Sequence, residues 1–478
     1  MSWYIEEQEP IYLDYNATTP LDPRVKTAIA EGLELWANPS SRNPLAEKAT
    51  AAIEKAKKAV GELLHVTDAE VVFTSGGTEA NNWVIYSALE RFKANPEHSS
   101  TIPHVISSAI EHPSVLEPLL HLRDSGSIEL SLLPVNSTTG QVEPSDAGKA
   151  TTSSTCLLTV MLANNETGVL QPIAELCDAV RRAAKKYDAN VFFHSDVSQA
   201  VGKMDVNIAQ LKVDAVSITG HKFYGPRNGA LVMRSKYTTE LVPLLRGGGQ
   251  QHNLRSGTEN TPMIMGLGAA ASCCDVDRIE EQLRSVRDYF EQQLQELIPD
   301  DHLVNFANSP RLPNTSSVAF MKYPKTVADM MTKCKTFYAS TGAACHSGIV
   351  SKLPSFSPVL LACGLSKELA ERTIRFSFGR ETTKADVDRV VKELKAILFL
   401  AKHGSSLMNA FSFTGKGTCS DPVHVASKAL TGEEKDEDNA LQSRPGSREQ
   451  GLRAVVDGPE NAAVSEWLVV FPIFRKMF

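Results

Sequence analysis

The chain has 478 residues, and its sequence predicts an α/β fold with a mostly parallel sheet covered by helices. Short apolar runs of strand length alternate with longer stretches that have helical periodicity. This alternation is typical of parallel strands joined by crossover helices. The strand-like runs lie at 71–73, 105–107, 157–162, 191–194, 215–218 and 230–233.

Two long segments, 45–64 and 279–298, have apolar residues at every third or fourth position. This spacing places the residues on one face of a helix, which we interpret as a packing face in both cases. The predicted faces are Leu45, Ala49, Ala52, Ile53, Ala56, Val60 and Leu63 in the first helix, and Leu283, Val286, Phe290, Leu294 and Leu297 in the second.

The length of the chain and its 42% apolar content allow more than one hydrophobic core. We predict a segment at 1–20 that packs with a small domain, a large domain at 21–270, and the small domain at 271–400. The remaining residues, 401–478, are rich in charged and small polar side chains, a composition that cannot build a core. We predict that this tail is disordered.

Charge and cysteine content narrow the class of protein. A net charge of -7 gives no basic field for nucleic acid, and no apolar run approaches the roughly 20 residues of a membrane helix. The acidic N-terminal residues lack the features of a targeting peptide, so we predict a cytosolic protein. Eight cysteines without metal-site spacing predict free thiols and no metal. We expect Cys156, Cys177, Cys273 and Cys334 to be buried and inert.

Two charged side chains follow two of the strand-like runs. Lys222 comes after the run at 215–218, and Asp196 follows the run at 191–194 by two residues. A lysine can bind an aldehyde cofactor as a Schiff base, and a carboxylate can pair with a pyridinium nitrogen, so together they indicate a pyridoxal phosphate site. Taken singly, Lys222 fits a solvated surface lysine and Asp196 fits a helix cap.

A third segment, 71–81, reads as a strand, a Gly76–Gly77 turn and the start of a helix at Thr78. Free backbone amides at such a helix start can bind an anion. The spacing matches neither a nucleotide P-loop nor a dinucleotide fingerprint. On its own the segment is equally compatible with an ordinary turn.

These motifs occur in the order found in one family. The chain resembles the NifS-like enzymes, the class V aminotransferase-fold cysteine desulfurases and selenocysteine lyases, from about residue 11 to about residue 400. The resemblance implies the type I fold of pyridoxal phosphate-dependent transferases, with a seven-stranded, mostly parallel sheet in the large domain and a smaller α+β C-terminal domain. It rests on 12–19, 71–81, Asn164 to Gly168, Asp196 to Gln199, His221 with Lys222, Arg255 to Asn260, and a late cysteine.

The resemblance also implies roles around the cofactor. Lys222 would carry the Schiff base, Asp196 would contact the pyridine nitrogen, and Gln199 would contact the phenolate oxygen. His112, which alone would be read as a core histidine, would stack on the ring and take part in catalysis. The implied phosphate ligands are Gly77, Thr78, Thr219 and His221, with Thr258 of a partner subunit, which implies a homodimer.

Cys345, in the small-residue run 339–348, matches the nucleophile of the family, where the thiolate is the reactive form. Arg375 matches the residue that binds the substrate carboxylate, since a guanidinium can form two parallel hydrogen bonds with it. Asn165 is implied to contact substrate or cofactor, and Asn16 to contact substrate.

The activity implied is removal of selenium from L-selenocysteine to give alanine and selenide, with an acceptor protein as a further partner. Selenium is favoured because His346 follows the nucleophile where iron–sulfur cysteine desulfurases have threonine. Sulfur removal from L-cysteine is the alternative. A catalytically silent scaffold would need none of Lys222, Asp196, Cys345 and Arg375, and plain transamination would leave Cys345 without a task.

Overall fold

The structure is a computed structural model that describes residues 9–66, 70–98, 100–235, 241–341 and 356–412. Its strands are β1 (Ile11–Tyr12), β2 (Glu70–Thr74), β3 (His104–Ser108), β4 (Glu129–Leu133), β5 (Thr155–Thr159), β6 (Phe192–Asp196), β7 (Ala215–Thr219), β8 (Gly229–Met233), β9 (Leu303–Val304), β10 (Thr315–Ala319), β11 (Phe337–Tyr338) and β12 (Thr373–Ser377).

The α-helices alternate with these strands through most of the described chain. They are α1 (Pro23–Glu34), α2 (Pro44–Leu63), α3 (Gly77–Ala94), α4 (Pro113–Asp124), α5 (Pro144–Ala150), α6 (Ile173–Ala184), α7 (Ile208–Leu211), α8 (Thr261–Ser272), α9 (Val276–Leu297), α10 (Val327–Met331), α11 (Pro358–Ala362), α12 (Lys367–Glu371) and α13 (Lys384–Ser412).

A seven-stranded sheet in the order β2-β8-β7-β6-β5-β3-β4 forms the centre of the fold. All neighbours are parallel except β8, which runs antiparallel to both β2 and β7. The predicted mostly parallel sheet is therefore confirmed. Six of these strands correspond to the runs predicted from the sequence. The seventh, β4, lies at the edge of the sheet and is mostly half-buried, so its sequence lacks a clear apolar run.

The strand predicted at 157–162 ends earlier, at Thr159. Beyond Thr159 the Met161 backbone N–H donates to the carboxyl group of Glu111, at 3.0 and 3.1 Å from its two oxygens, while the N–H groups of Val160 and Leu162 still donate to backbone carbonyls of β6. The chain then enters the Asn164 to Gly168 turn, which the Gly168 N–H closes by donating to the Asn164 carbonyl. The predicted run therefore continues past the last residue of β5, although single backbone hydrogen bonds to β6 persist as far as Leu162.

Helix α2 begins at Pro44 because the Asn43 side chain accepts hydrogen bonds from the first free backbone amides. It packs closely on α8, where Gly268 leaves no space for a side chain against Ala56. The predicted face is wrong at Leu45, which is half exposed, whereas Ala46 is buried. Leu45 lies in the first turn and points away from the packed face.

A second group of buried apolar residues lies around α9, α13 and the antiparallel sheet β12-β10-β9. In this second core, Phe290 of α9 contacts the rings of Phe376 and Phe378. This contact agrees with the predicted packing face of α9. Strand β1 pairs in parallel with β11, so Ile11 and Leu13 join this second core.

Helix α13 continues to Ser412 and therefore includes the first twelve residues, 401–412, of the predicted tail. Residues 413–478 of that tail lie outside the described residues. Among the helices of the described chain, none is long and apolar enough to cross a membrane. Cys156 and Cys177 are buried as predicted, but Cys273 and Cys334 are only partly buried, so that prediction is wrong for those two.

Candidate active site

The carboxyl ends of β6 and β7 bring Asp196 and Lys222 to one edge of the sheet. These strands are parallel neighbours, with Asp196 opposite Ser217, and Lys222 lies in a single 3₁₀ turn directly after β7. Ligands of open α/β sheets bind at this edge. The Lys222 Nζ donates hydrogen bonds to the carbonyl oxygens of Asn16 at 2.8 Å and Ala17 at 2.7 Å.

Asp196 is held by donors that leave its carboxylate directed to the same edge. Its Oδ2 accepts from Asn81 Nδ2 at 2.8 Å, and its Oδ1 accepts from the Ser198 backbone N–H at 2.9 Å. Asn81 also donates to Ser114 Oγ at 2.9 Å. Each carboxylate oxygen retains a lone pair for a further donor, such as a protonated ring nitrogen.

His112 is connected to this network through Ser114. It caps helix α4, where its Nδ1 accepts from the Ser114 backbone N–H at 3.1 Å and lies 2.8 Å from Ser114 Oγ. The acceptor role of Nδ1 leaves Nε2 as the protonated nitrogen of a neutral ring. The His112 side chain is exposed, so its ring can contact a bound molecule.

The amino end of α3 forms a small cradle beside β7. A side chain added at Gly77 would lie 3.6 Å from both Ser198 Oγ and Thr219 Cβ, and Gly76 supplies no side-chain cap to the free amides. Within the described part of the chain, Ser198 Oγ is buried without a hydrogen-bond partner. Free amides and a buried hydroxyl match the oxygens of a phosphate group.

The other predicted phosphate ligands lie around this cradle. Thr78 is exposed in the first turn of α3, and the Thr219 hydroxyl donates to the Asn228 carbonyl at 3.2 Å. His221 lies 3.1 Å from Thr18 Oγ1 through its Nδ1. Burial, with the nearby Lys222 charge, lowers the pKa of His221 to about 4, so its ring is neutral at physiological pH.

Asn16 is the centre of the hydrogen-bond network. It is 1% exposed, and its Nδ2 donates to Thr315 Oγ1 at 2.9 Å and to the Asn165 carbonyl at 3.3 Å. Its Oδ1 accepts from Lys203 and Asn314. The amide predicted to contact substrate is therefore wholly engaged by the protein, and in this structure it holds neighbouring site residues in place.

Arg375, on β12, reaches the same network from the second core. It is 3% exposed, and its guanidinium donates to the Asn165 carbonyl at 2.9 Å and pairs with Asp14. Asn165 thus contacts both Arg375 and Asn16 through its backbone oxygen. Arg375 and Lys222 therefore each donate to the backbone oxygen of an asparagine, Asn165 and Asn16 respectively. These two asparagines are themselves hydrogen-bonded to each other.

Thr258 takes part in none of the hydrogen bonds described for this cluster. Thr258 is exposed, on the loop that Arg255 ties to Glu79 of α3 by a 2.9 Å ion pair. Cys345 and His346 lie in 342–355, outside the described residues. Across the parts of the chain that the structure describes, no group of three or more His, Cys, Asp or Glu side chains could hold a metal ion.

Several members of the site were not predicted. Three of them are polar residues in or beside the recognised motifs: Asn81, Ser198 and Asp14. The sequence does not reveal that their side chains point into the site. Lys203 follows Gln199 by four residues within an otherwise apolar turn, and this apolar setting was the one available signal.

The residues present fit pyridoxal phosphate. The cradle at Gly77 with the unpartnered Ser198 hydroxyl suits the phosphate, Asp196 suits the ring nitrogen, and Lys222 suits the aldehyde. A sheet edge that offers all three types of group to one small molecule defines the class of pyridoxal phosphate-dependent enzymes.

Comparison with known proteins supplies the family. The family model for aminotransferase class-V matches residues 11–390. A selenocysteine lyase of Xenopus tropicalis is 42% identical over 403 residues, covering 80% of this chain and 92% of that protein. A cysteine desulfurase IscS of Dictyoglomus turgidum is 38% identical over 392 residues, covering 81% and 94%.

A solved structure described as a NifS-like protein superposes with a TM-score of 0.71 at 29% identity, covering 82% of this chain and all of that one. The chain belongs to the class V aminotransferase family, which is pyridoxal phosphate-dependent. The predicted family, fold and cofactor are thereby confirmed.

Proposed function

We propose that this protein is a selenocysteine lyase, which converts L-selenocysteine and a reduced acceptor into L-alanine and selenide. The observation that carries the proposal is the meeting of Lys222 and Arg375 at the backbone oxygens of Asn16 and Asn165. An amino acid bound there would have its amine beside one residue and its carboxylate beside the other. The 42% identity to the Xenopus tropicalis enzyme supports selenium.

Arg375 binds the substrate carboxylate through two parallel hydrogen bonds, which fixes the orientation of Cα. Bound pyridoxal phosphate supplies an electron sink for the electron pair released at Cα. Asp196 stabilises the positive charge on the ring nitrogen, since an opposite charge favours the charged form. As a free amine, Lys222 would take the Cα proton of the bound amino acid.

The Cys345 thiolate then forms a bond to selenium while the carbon–selenium bond breaks. The electron pair of that bond stays with carbon, which takes up a proton and becomes the methyl group of alanine. Selenium remains on Cys345 until a reduced acceptor releases it as selenide. The thiolate, rather than the thiol, is the nucleophile in this step.

The test supplies purified holoenzyme with L-selenocysteine or L-cysteine in separate reactions, and measures alanine with selenide or sulfide. Selenide with little sulfide supports the lyase. Comparable sulfide release would move the assignment to cysteine desulfurase, the activity named for the Dictyoglomus turgidum relative. Alanine from neither substrate would refute both activities.

We also propose a homodimer in which Thr258 of one subunit reaches the phosphate site of the other, and a cytosolic location. The exposure of Thr258 on a loop fixed to α3 by Arg255 supports the first proposal. Light scattering would give the oligomeric state. Mixing Thr258→Ala subunits with Lys222→Ala subunits tests the shared site, because each mixed dimer keeps one site that lacks both substitutions.

A further inference from the structure

Lys203 is a buried lysine in contact with the predicted active site. It is 4% exposed, and its Nζ donates to Asn16 Oδ1 at 2.9 Å and to Gln199 Oε1 at 3.0 Å. The charged groups that act on it are Lys222 and Arg375, both cations. Burial and these two charges place the pKa of Lys203 well below its usual range. Burial of a lysine side chain costs free energy of folding, so a buried lysine at this position suggests a role in the site.

The contacts of Lys203 determine the orientation of the Gln199 amide. The Gln199 Nε2 donates to the Asn16 carbonyl oxygen at 3.0 Å, and that oxygen can only accept. The Gln199 Oε1 must therefore face Lys203, which donates to it. Because the oxygen is held in this way, the second N–H of Gln199 Nε2 is available to donate to a molecule bound in the site.

The same contacts connect Gln199 to the lysine that would carry the cofactor. The Asn16 carbonyl accepts from both Lys222 and Gln199, while the Asn16 side chain accepts from Lys203. Lys203 and Lys222 also line one narrow cavity. Asn16 thus positions both lysines and Gln199 relative to one another.

We propose that Lys203 is a positioning residue that fixes the Gln199 amide with its second N–H directed toward the cofactor. This inference rests on the proposed pyridoxal phosphate site and on the contact of Gln199 with the phenolate oxygen of the ring. An N–H that donates to this oxygen stabilises its negative charge. The nitrogen that links the ring to Lys222 then releases its proton at a lower pH.

The test is the pH midpoint of the visible absorption change of the bound cofactor, measured without substrate. In Lys203→Met, a side chain of similar length that cannot donate, we expect the midpoint to rise by about one pH unit, the size expected for a lost hydrogen bond to a charged group. Gln199→Ala should raise it similarly. The double variant should match Gln199→Ala alone, because two residues that act through one contact are not additive.

Lys203→Gln serves as a second replacement that retains an N–H donor, and we expect its midpoint to lie between those of the wild type and Lys203→Met. Lys212→Met, at a half-exposed lysine paired with Asp178, is the control and should leave the midpoint unchanged. An unchanged midpoint in both Lys203 variants, or full additivity with Gln199→Ala, would overturn the positioning role alone.

Other outcomes separate this inference from the proposed function. No visible band in the wild-type protein would refute cofactor binding, and with it the role of Lys203. A normal band and the expected shifts, with no alanine formed from either amino acid, would refute the lyase assignment and leave the role of Lys203 standing.

Discussion

Arg375 and Ser340 form a backbone bridge: the Arg375 N–H donates to the Ser340 carbonyl at 2.8 Å, and the Ser340 N–H donates to the Arg375 carbonyl at 3.2 Å. Cys345 follows Ser340 by five residues, a length that spans at most about 18 Å when fully extended. The segment that carries the predicted nucleophile therefore starts beside the residue predicted to bind the substrate carboxylate.

Replacement of that nucleophile should separate cofactor binding from turnover. We expect Cys345→Ala to keep the visible cofactor band and to lose selenide release by about 10³-fold or more, as for nucleophiles of other enzymes. Spectroscopy and a selenide assay on one preparation measure both. The control is Cys334→Ala, because burial raises the pKa of that thiol and makes it a poor nucleophile. Normal turnover by Cys345→Ala would contradict the proposed chemistry.

Arg375→Lys tests the forked contact with the substrate carboxylate. The substitution keeps the positive charge next to Asp14 but loses the planar pair of N–H donors. We expect KM for the amino acid to rise about 10- to 100-fold, the equivalent of one lost charged hydrogen bond. Steady-state kinetics measures the change.

The control for Arg375→Lys is Arg372→Lys, three residues earlier, where the side chain pairs with Glu368 on the surface. Its KM should match that of the wild type. Equal KM values for both variants would show that Arg375 has only a structural role with Asp14.

Gly77→Ala should weaken cofactor binding without destabilising the protein. The added methyl group would meet Ser198 Oγ and Thr219 at 3.6 Å, an ordinary contact distance, but it would occupy the cradle that suits the phosphate. Alanine is also favoured over glycine in a helix by about 0.5–1 kcal/mol. We expect the apoprotein to unfold at an equal or higher temperature while the Kd for pyridoxal phosphate rises.

Gly148→Ala is a matched control for that variant. The glycine lies in helix α5, and the added methyl group would also contact a neighbour, the Ala179 carbonyl, at 3.6 Å. Its Kd for pyridoxal phosphate should not change. A change of the same size in both variants would mean that the cradle at Gly77 does not bind the phosphate.

Glu111 should make stability depend on pH. Complete burial raises the pKa of its carboxyl to about 8, despite hydrogen bonds from Ser108 and the Met161 amide that favour the ionised form. Between about pH 4.5 and pH 8 the unfolded chain loses a proton that the folded protein retains. The stabilisation is complete below pH 4.5 and is lost as the pH rises through 8, with a slope of up to about 1.4 kcal/mol per pH unit.

Glu111→Gln should remove this contribution, so its free energy of unfolding should fall less steeply than that of the wild type between pH 5 and pH 8. Urea unfolding at several pH values measures the two slopes. Glu117→Gln, at an exposed position of α4, is the control and should follow the wild type. Parallel curves for Glu111→Gln and the wild type would contradict the raised pKa.

The sequence by itself determined six of the seven strands of the central sheet and the order of the functional motifs. Apolar runs followed by Asp196 and Lys222 are local signals, and parallel strands necessarily bring their carboxyl ends to one edge. The resemblance to a family then supplied roles for residues far apart in the chain, such as Arg375 and Cys345. The strand predictions depended on residue type and spacing, whereas the roles depended on the resemblance.

Only the tertiary structure decided how the site is held together. Asn16 lies 206 residues before Lys222 and 187 before Lys203, and it contacts both because β1 and the turns after β6 and β7 fold onto one another. Whether a polar side chain is buried and which donor faces it depend on such distant contacts. The antiparallel direction of β8 has the same cause, since β8 pairs with β2, a strand that lies far earlier in the chain.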